Sequence, residues 1–284
     1  MRGMRVTLGL LLSACLGLGA AGCGDDDDDD GNDWSDWEQS CDAYPDHALA
    51  TGTTWQWQLL GDIDTGIDVE VYDVDLFDTP QSVIDELHGD GRIVICYFSA
   101  GSWEEWRDDA GDYPNDAVGD VLDGWPDEKW IDVRSEDVRA ILETRLDVAV
   151  DKECDGVEPD NIDGYVNDSG FDFDGFDQLD FNAWLAEEAH SRGLSVGLKN
   201  DVDQIAALEP CFDWALNEEC FAYEECDLYE PFLSAGKAVF HVEYVDDVGD
   251  GQDLADEVCG SDDVEGFSTL IKEWDLYEWF IACD

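Results

Sequence analysis

The sequence predicts an α/β fold of the (β/α)8 TIM-barrel class. Three observations carry that expectation: the length, the number of short β-rich runs, and the helical period of the segments between them. At 284 residues the chain is long for an ordinary single domain and suits one barrel, which takes ~250 residues. Eight β-rich runs follow one another after residue 50: Thr54 to Leu60, Val69 to Leu76, Arg92 to Ser99, Gly156 to Asp160, Ser195 to Asn200, Asp213 to Glu218, Ala238 to Tyr244 and Gly266 to Lys272. Eight is the strand number of this barrel. Ile93-Val94-Ile95-Cys96-Tyr97-Phe98 is apolar on successive residues, as a strand buried on both faces requires.

The intervening segments read as helices. Pro80 to His88 places Val83, Ile84 and Leu87 on one side. Ser135 opens a helix carrying Val138, Ile141, Leu142 and Leu146, and Asp177 precedes Leu179, Phe181, Trp184, Leu185 and Ala189. Asp201 to Leu208 is shorter, and residues 61 to 68 leave no room for a full helix. A doubly wound open sheet is the alternative built from the same alternation.

Before the body comes an export signal. Arg2 and Arg5 precede the apolar run Val6 to Leu18, which is too short to span a bilayer comfortably. Cys15, in Leu12-Ser13-Ala14-Cys15, and Cys23, in Ala20-Ala21-Gly22-Cys23, both stand where a lipoprotein signal peptidase cuts. Cys23 is the expected lipid-attachment residue because the hydrophilic run Gly24 to Asp30 starts directly after it. The expected organisation is a signal peptide over 1–23, an acidic tether and lead-in over 24–50, and the catalytic body over 51–284. A cleaved signal with a fully secreted product is the alternative.

Acidic residues number 73 against 13 Lys and Arg, a formal charge of -60. Nucleic acid, which demands clustered Lys and Arg, is excluded as a partner. The acidity serves either as a solvated surface or as a field for a cationic ligand. Twelve Trp supply ample core, so disorder is not expected in the body. Eight cysteines follow Cys23, an even count that suggests disulfides in an exported chain, with Cys220 and Cys226 as the expected local pair. Zinc is the rival use of cysteine. There is no CxxC, and His47, His88, His190 and His241 form no ligand pattern, so neither metal nor cofactor is expected.

In such barrels, reacting groups stand at the C-terminal ends of strands. Those ends here are Asp75, Ser99, Asp160, Lys199 with Asn200, Glu218, and Glu243 with Tyr244. Glycoside cleavage needs two carboxyl groups, one to protonate the leaving oxygen and one to attack or stabilise the oxocarbenium-like centre. The densest polar cluster is Glu158-Pro159-Asp160-Asn161-Ile162-Asp163-Gly164-Tyr165. Polar groups closing an apolar strand are costly unless they face a ligand, although Asp and Asn also make turns and caps. Lys199 either pairs with a neighbouring carboxylate or, by its charge, keeps Asp160 or Glu218 ionised. Asp160 and Glu218 are therefore the expected catalytic pair. Asp75, Tyr97, Trp103, Asn161, Asp163, Tyr165, Lys199, Asn200, Glu243 and Tyr244 are expected to contact substrate. Trp103, Trp106 and Trp125 are the aromatics expected in loops, where a ring can stack on a sugar. The Asp-rich run 168–180 lacks calcium-loop spacing and reads as helix capping.

At these residues the chain resembles the endo-α-1,4-polygalactosaminidases of glycoside hydrolase family 114. The resemblance rests on Trp55 to Leu59, Tyr72 to Asp78, Cys96 to Ser102 with Trp106-Arg107, Glu158 to Tyr165, Gly197 to Asn200, Asn217-Glu218 with Cys220, and Gly236 to Phe240 leading to Glu243-Tyr244. It implies a (β/α)8 barrel that hydrolyses α-1,4-linked galactosamine polymers internally. The catalytic pair that it implies is again Asp160, as nucleophile or stabiliser, and Glu218, as acid/base. The family pattern has Gln where Glu219 stands here, an extra carboxylate that would favour the protonated form of Glu218. The expected partner is a cationic amino-sugar polysaccharide, with the membrane reached through the lipid anchor and the protein acting as a monomer. A non-catalytic sugar-binding lipoprotein is the competing function, and a metal-dependent deacetylase is disfavoured by the shortage of His.

Overall fold

In the computed structural model, Trp34, Trp37, Cys41 and residues 49–283 are described. The expected signal peptide, Cys15, Cys23 and nearly all of the acidic tether and lead-in lie outside them.

All eight expected strands form. They are β1 (Trp55–Gln58), β2 (Val71–Asp75), β3 (Ile93–Ser99), β7 (Gly156–Asp160), β8 (Ser195–Lys199), β9 (Trp214–Glu218), β10 (Val239–Val245) and β11 (Ser268–Glu273). They pair in parallel in sequence order, and β12 (Ile281–Ala282) adds antiparallel to β11. Side-chain and loop bonds join the two ends of this curled sheet. Trp55 Nε1 donates to the Ser268 carbonyl (2.8 Å), Lys272 Nζ to Gln56 Oε1 (3.2 Å), and the Leu59 amide to the Leu276 carbonyl (3.0 Å). The fold is the (β/α)8 TIM barrel.

Strand parity sorts the core into two layers. Trp55, Trp57, Val71, Ile95, Trp214, Leu216, Phe240, Val242 and Leu270 form the inner cluster. Residues of the opposite parity, such as Tyr72, Val74, Cys96, Phe98 and Val157, pack outward with the helices. Gly197 makes room for the inner cluster, because a Cβ there would stand 2.2 Å from the Trp214 ring.

The long helices follow their caps. In α1 (Gln81–Gly89), Ile84 and Leu87 are buried. Ser135 accepts from the Val138 amide to start α2 (Glu136–Asp151). Asp174 and Asp177 form a capping box on α3 (Gly175–Ser191), which begins two residues before Asp177. Shorter helices are α4 (Ile205–Leu208), α5 (Cys220–Tyr223), α6 (Glu230–Ser234) and α7 (Gly251–Val258). Between β1 and β2 the described residues form no helix, as that short connection requires.

One element was not foreseen. Between β3 and α2 an antiparallel sheet is inserted, with strands β4 (Ser102–Glu104), β5 (Val118–Leu122) and β6 (Trp125–Ile131) in the order β4-β6-β5. Trp103 and Trp125 therefore belong to strands rather than loops. Four disulfides join Cys41–Cys211, Cys96–Cys154, Cys220–Cys226 and Cys259–Cys283. They include the expected local pair and consume every cysteine after Cys23. Such cross-linking belongs to an exported protein in an oxidising compartment. Among the described residues no helix is long and apolar enough to cross a membrane.

Candidate active site

Above the apolar inner layer, the inward positions of the strands turn polar. Asp73, Tyr97, Glu158, Asp160, Lys199, Glu218 and Tyr244 meet there, drawn from six strands. The chain leaves β7, β8 and β9 through left-handed residues: Asn161 (φ 60°), Asn200 (φ 46°) and Glu219 (φ 66°). Such backbone is unfavourable outside glycine and is retained mainly where the surroundings enforce it. Each of these turns bends the main chain away directly after a polar strand-end residue.

Lys199 is the hub. Its buried ammonium lies 2.8 Å from Glu158 Oε1, 3.0 Å from Asp160 Oδ1 and 3.2 Å from Glu218 Oε2, with the Trp57 ring 4.7 Å from it. Burial opposes this charge, but the three carboxylates outweigh it and push the ammonium well above its ordinary range. Contacts of 3.0 and 3.2 Å to one nitrogen keep Asp160 Oδ1 and Glu218 Oε2 within about 6.2 Å of each other. The three carboxylates differ in their access to solvent. The Glu158 side chain is 0% exposed, against 18% for Asp160 and 27% for Glu218. Only the last two can reach a ligand.

Each is fixed by further donors. Asp160 Oδ2 accepts from the Tyr97 hydroxyl (3.1 Å) and Asn161 Nδ2 (3.3 Å). Glu218 Oε1 accepts from the Tyr244 hydroxyl at 2.5 Å, and Oε2 from Asn200 Nδ2 at 3.2 Å. Burial and the adjacent Asp160 or Glu218 charge push both phenols well above their usual value, so they remain donors. Below, burial and the opposing Lys199 charge leave Glu158 at about 7. Burial and then the Glu158 charge push Asp73 well above the carboxylate range, and both Asp73 oxygens and Glu158 Oε2 are buried without another donor. Protonated Asp73 supplies the donor that two bare carboxylates lack.

The structure thus brings together Asp160, Glu218, Lys199, Tyr97, Asn161, Asn200 and Tyr244. Asp163 lies next to them, its carboxyl pushed to about 6 by burial and the Asp160 charge. Four expected contacts are placed elsewhere. Asp75 is buried and spent on Arg107 Nη2 (2.6 Å) and the Phe77 and Asp78 amides (2.8 and 2.7 Å). Glu243 has the outward parity of β10 and accepts from His241 (2.9 Å) and the Phe221 amide (2.9 Å), bracing the start of α5. Trp103 has the opposite parity to Ser102 and Glu104, with its indole nitrogen bonded to the Ala110 carbonyl (2.9 Å). Tyr165 lies near the Asp201 and Asp203 carboxyl groups and meets the Trp34 ring edge-on. Glu219 is itself pushed to about 7, by burial and the Glu243 and Glu218 charges.

The insertion contributes a residue that strand-end reasoning missed. Glu128 on β6 accepts from Ser102 Oγ (2.6 Å), Ser102 Oγ lies 2.6 Å from Ser99 Oγ, and Asn161 Nδ2 donates to Ser99 Oγ (2.9 Å). A hydrogen-bonded chain therefore ties the insertion to the residue after Asp160. One possible metal cluster occurs among the described residues, Cys220, Cys226 and His241, with donor atoms within 4.8 Å of one another. The two sulfurs are bonded to each other and have no thiolates to offer.

The sequence profile of glycoside hydrolase family GH114 matches residues 36–284. The chain belongs to this family. This GH114 chain is a glycoside hydrolase, and solved structures agree. Aspergillus fumigatus Ega3, crystallised in complex with galactosamine, is 44% identical with a TM-score of 0.80, over 83% of this chain and 97% of its own. The glycoside hydrolase domain of PelA from Pseudomonas aeruginosa shares the fold at 11% identity, TM-score 0.66, over 82% of this chain and 99% of its own. A search of curated protein sequences finds no match.

Proposed function

We propose that this glycoside hydrolase cuts α-1,4-linked galactosamine polymers internally, with Asp160 and Glu218 as its catalytic carboxyl groups. The observation that carries the reading is that these two solvent-reaching carboxylates share one buried ammonium. We infer a retaining course, for which the carboxyl groups stand ~5 to 5.5 Å apart rather than the ~6.5 to 9.5 Å of inverting pairs; one ammonium touching an oxygen of each supports the closer spacing. In the first step Asp160 attacks the anomeric carbon while Glu218 gives its proton to the departing glycosidic oxygen. Water then attacks the glycosyl carbon, Glu218 takes its proton, and Asp160 leaves. Lys199, Tyr97 and Asn161 hold the Asp160 oxygens for this attack. Glu218, the more exposed of the two, is better placed to meet the incoming water.

Ega3, bound to galactosamine, supports the sugar class. A deacetylated galactosamine polymer is cationic near neutral pH, and a chain of net charge -60 attracts it, more strongly at low salt. Residues 51–284 form the proposed catalytic body, with 1–23 as signal and 24–50 as the lead-in to it. Cys23 is the proposed lipid attachment, holding a monomer on the membrane.

The test is incubation of the protein with galactosamine, N-acetylgalactosamine and glucosamine polymers across a salt series, with products weighed by mass spectrometry. Internal fragments from the α-1,4-galactosamine polymer, released faster at low salt, are expected. No fragments from it would defeat the reading, and indifference to both salt and acetylation would reduce the charge to surface solvation.

A further inference from the structure

Directly after β11, at the same end of the barrel as the carboxylates, Trp274 stacks on Tyr244 with ring centroids 4.1 Å apart and planes 16° from parallel. The Tyr244 hydroxyl is the group bonded to Glu218 at 2.5 Å. One stacked ring thus separates this indole from a proposed catalytic carboxyl. Trp274 is nevertheless 49% exposed. An indole that gives one face to Tyr244 and keeps half of its surface in water has its other face open.

The turn that presents Trp274 is held firmly. Leu276 takes a left-handed backbone (φ 50°) and buries its side chain, and its carbonyl accepts from the Leu59 amide at 3.0 Å. Lys272 Nζ donates to the Tyr277 carbonyl (2.9 Å), and Gln56 Nε2 to the Glu278 carbonyl (2.8 Å). A non-glycine residue in this conformation is costly, and the surrounding bonds enforce it. The outcome is a large apolar surface fixed in water beside the polar cleft, where burial in the protein gains nothing from it.

The geometry points to Trp274 as a binding platform for one pyranose ring of the substrate chain, next to the cleaved bond on the Glu218 side. Sugar rings carry an apolar face of C–H groups, which covers an indole face and expels its water. Trp106 and Trp125 are also exposed, but no ring contact leads from either to Asp160 or Glu218 among the described residues. The inference rests on the proposed function and adds to it the subsite through which an internal cut is positioned.

The test compares wild type, Trp274→Ala and Trp274→Phe on α-1,4-galactosamine polymer, recording kcat, KM, product lengths and melting temperature. Trp274→Ala is expected to raise KM roughly tenfold, the scale of uncovering one apolar ring face, with kcat within about twofold. Trp274→Phe should recover part of the loss, and products should change in length while the melting temperature stays in place. An unchanged KM and product pattern in Trp274→Ala, with wild type active, would overturn the platform and leave the proposed function standing. A fall in kcat at unchanged KM would also overturn it, by making Trp274 a prop for Tyr244. A wild type that cleaves no galactosamine polymer would remove the proposed function and the platform with it.

Discussion

Replacing Lys199 with Met keeps the length of the side chain and removes the one charge shared by Glu158, Asp160 and Glu218. At an effective dielectric of ~20, unit charges ~3 Å apart interact by about 5 kcal/mol. Breaking a buried pair by removing one partner costs ~3 to 5 kcal/mol in practice, because the protein relaxes and takes up protons. The Lys199 side chain is 2% exposed, so water does not screen the loss. The expected destabilisation is therefore ~3 to 5 kcal/mol at neutral pH, or about 6 to 20 °C at ~2 to 4 °C per kcal/mol for a domain of this size.

The sign with pH follows from Glu158, raised to about 7 by burial with Lys199 opposing. A raised carboxyl favours the folded state while protonated, and that contribution fades as pH rises through the folded value. In wild type, Glu158 ionises above about 7 against Lys199; in the variant it has no cation to meet. The deficit of Lys199→Met should therefore widen as pH rises through about 7. Its kcat/KM should fall by ~10²- to 10³-fold, the scale of losing one preorganised electrostatic partner. Denaturant melts at several pH values and a pH–rate profile read both. A deficit under about 1 kcal/mol, or one independent of pH, would refute the idea that Lys199 carries the cluster.

Asp160→Asn and Glu218→Gln should each lower kcat by ~10²- to 10⁴-fold with unchanged circular dichroism, whereas normal turnover in both would move the chemistry elsewhere. Glu243→Gln should do the reverse, costing about 1 to 2 kcal/mol of stability while kcat/KM stays within a few-fold, since Glu243 braces α5 from outside the barrel. Glu128 is pushed from the ordinary 4.5 to about 7, first by burial. Its favourable contribution is present below about 4.5 and lost as pH rises to about 7. The stability difference between Glu128→Gln and wild type should therefore change by about 3 kcal/mol across that window, and a flat difference curve would contradict it.

The strands were legible because each buries both faces and so interrupts the helical period with a short apolar run. Cleft geometry was legible only where strand parity agreed with position. Asp160, Lys199 and Glu218 end their strands on the inward parity, but Glu243 lies one residue off and points outward, a distinction that needs the register of β10 against β9. Asp75 does have inward parity, and Arg107, 32 positions later, consumes it; nothing local to Asp75 signals that partner. The insertion did leave a trace. Asp123-Gly124, with Gly124 at φ 82°, joins β5 to β6, and a two-residue Asp-Gly link is a strong hairpin signal. Glu128 follows four residues later. Cys220–Cys226 was legible because its loop is short, whereas the other pairs close over 24 to 170 positions. Trp274 lies two residues beyond Lys272, the last expected strand residue, so no strand-end position marks it.

The anomeric form of the first product tests the central claim most directly. If Asp160 attacks covalently with Glu218 as its acid and base, proton NMR in the first minutes of polymer cleavage should show new α-configured reducing ends, with the β form growing only by later mutarotation. New ends that start as β would contradict a covalent attack by one carboxyl assisted by the other, and would turn Asp160 and Glu218 into a base and acid acting through water.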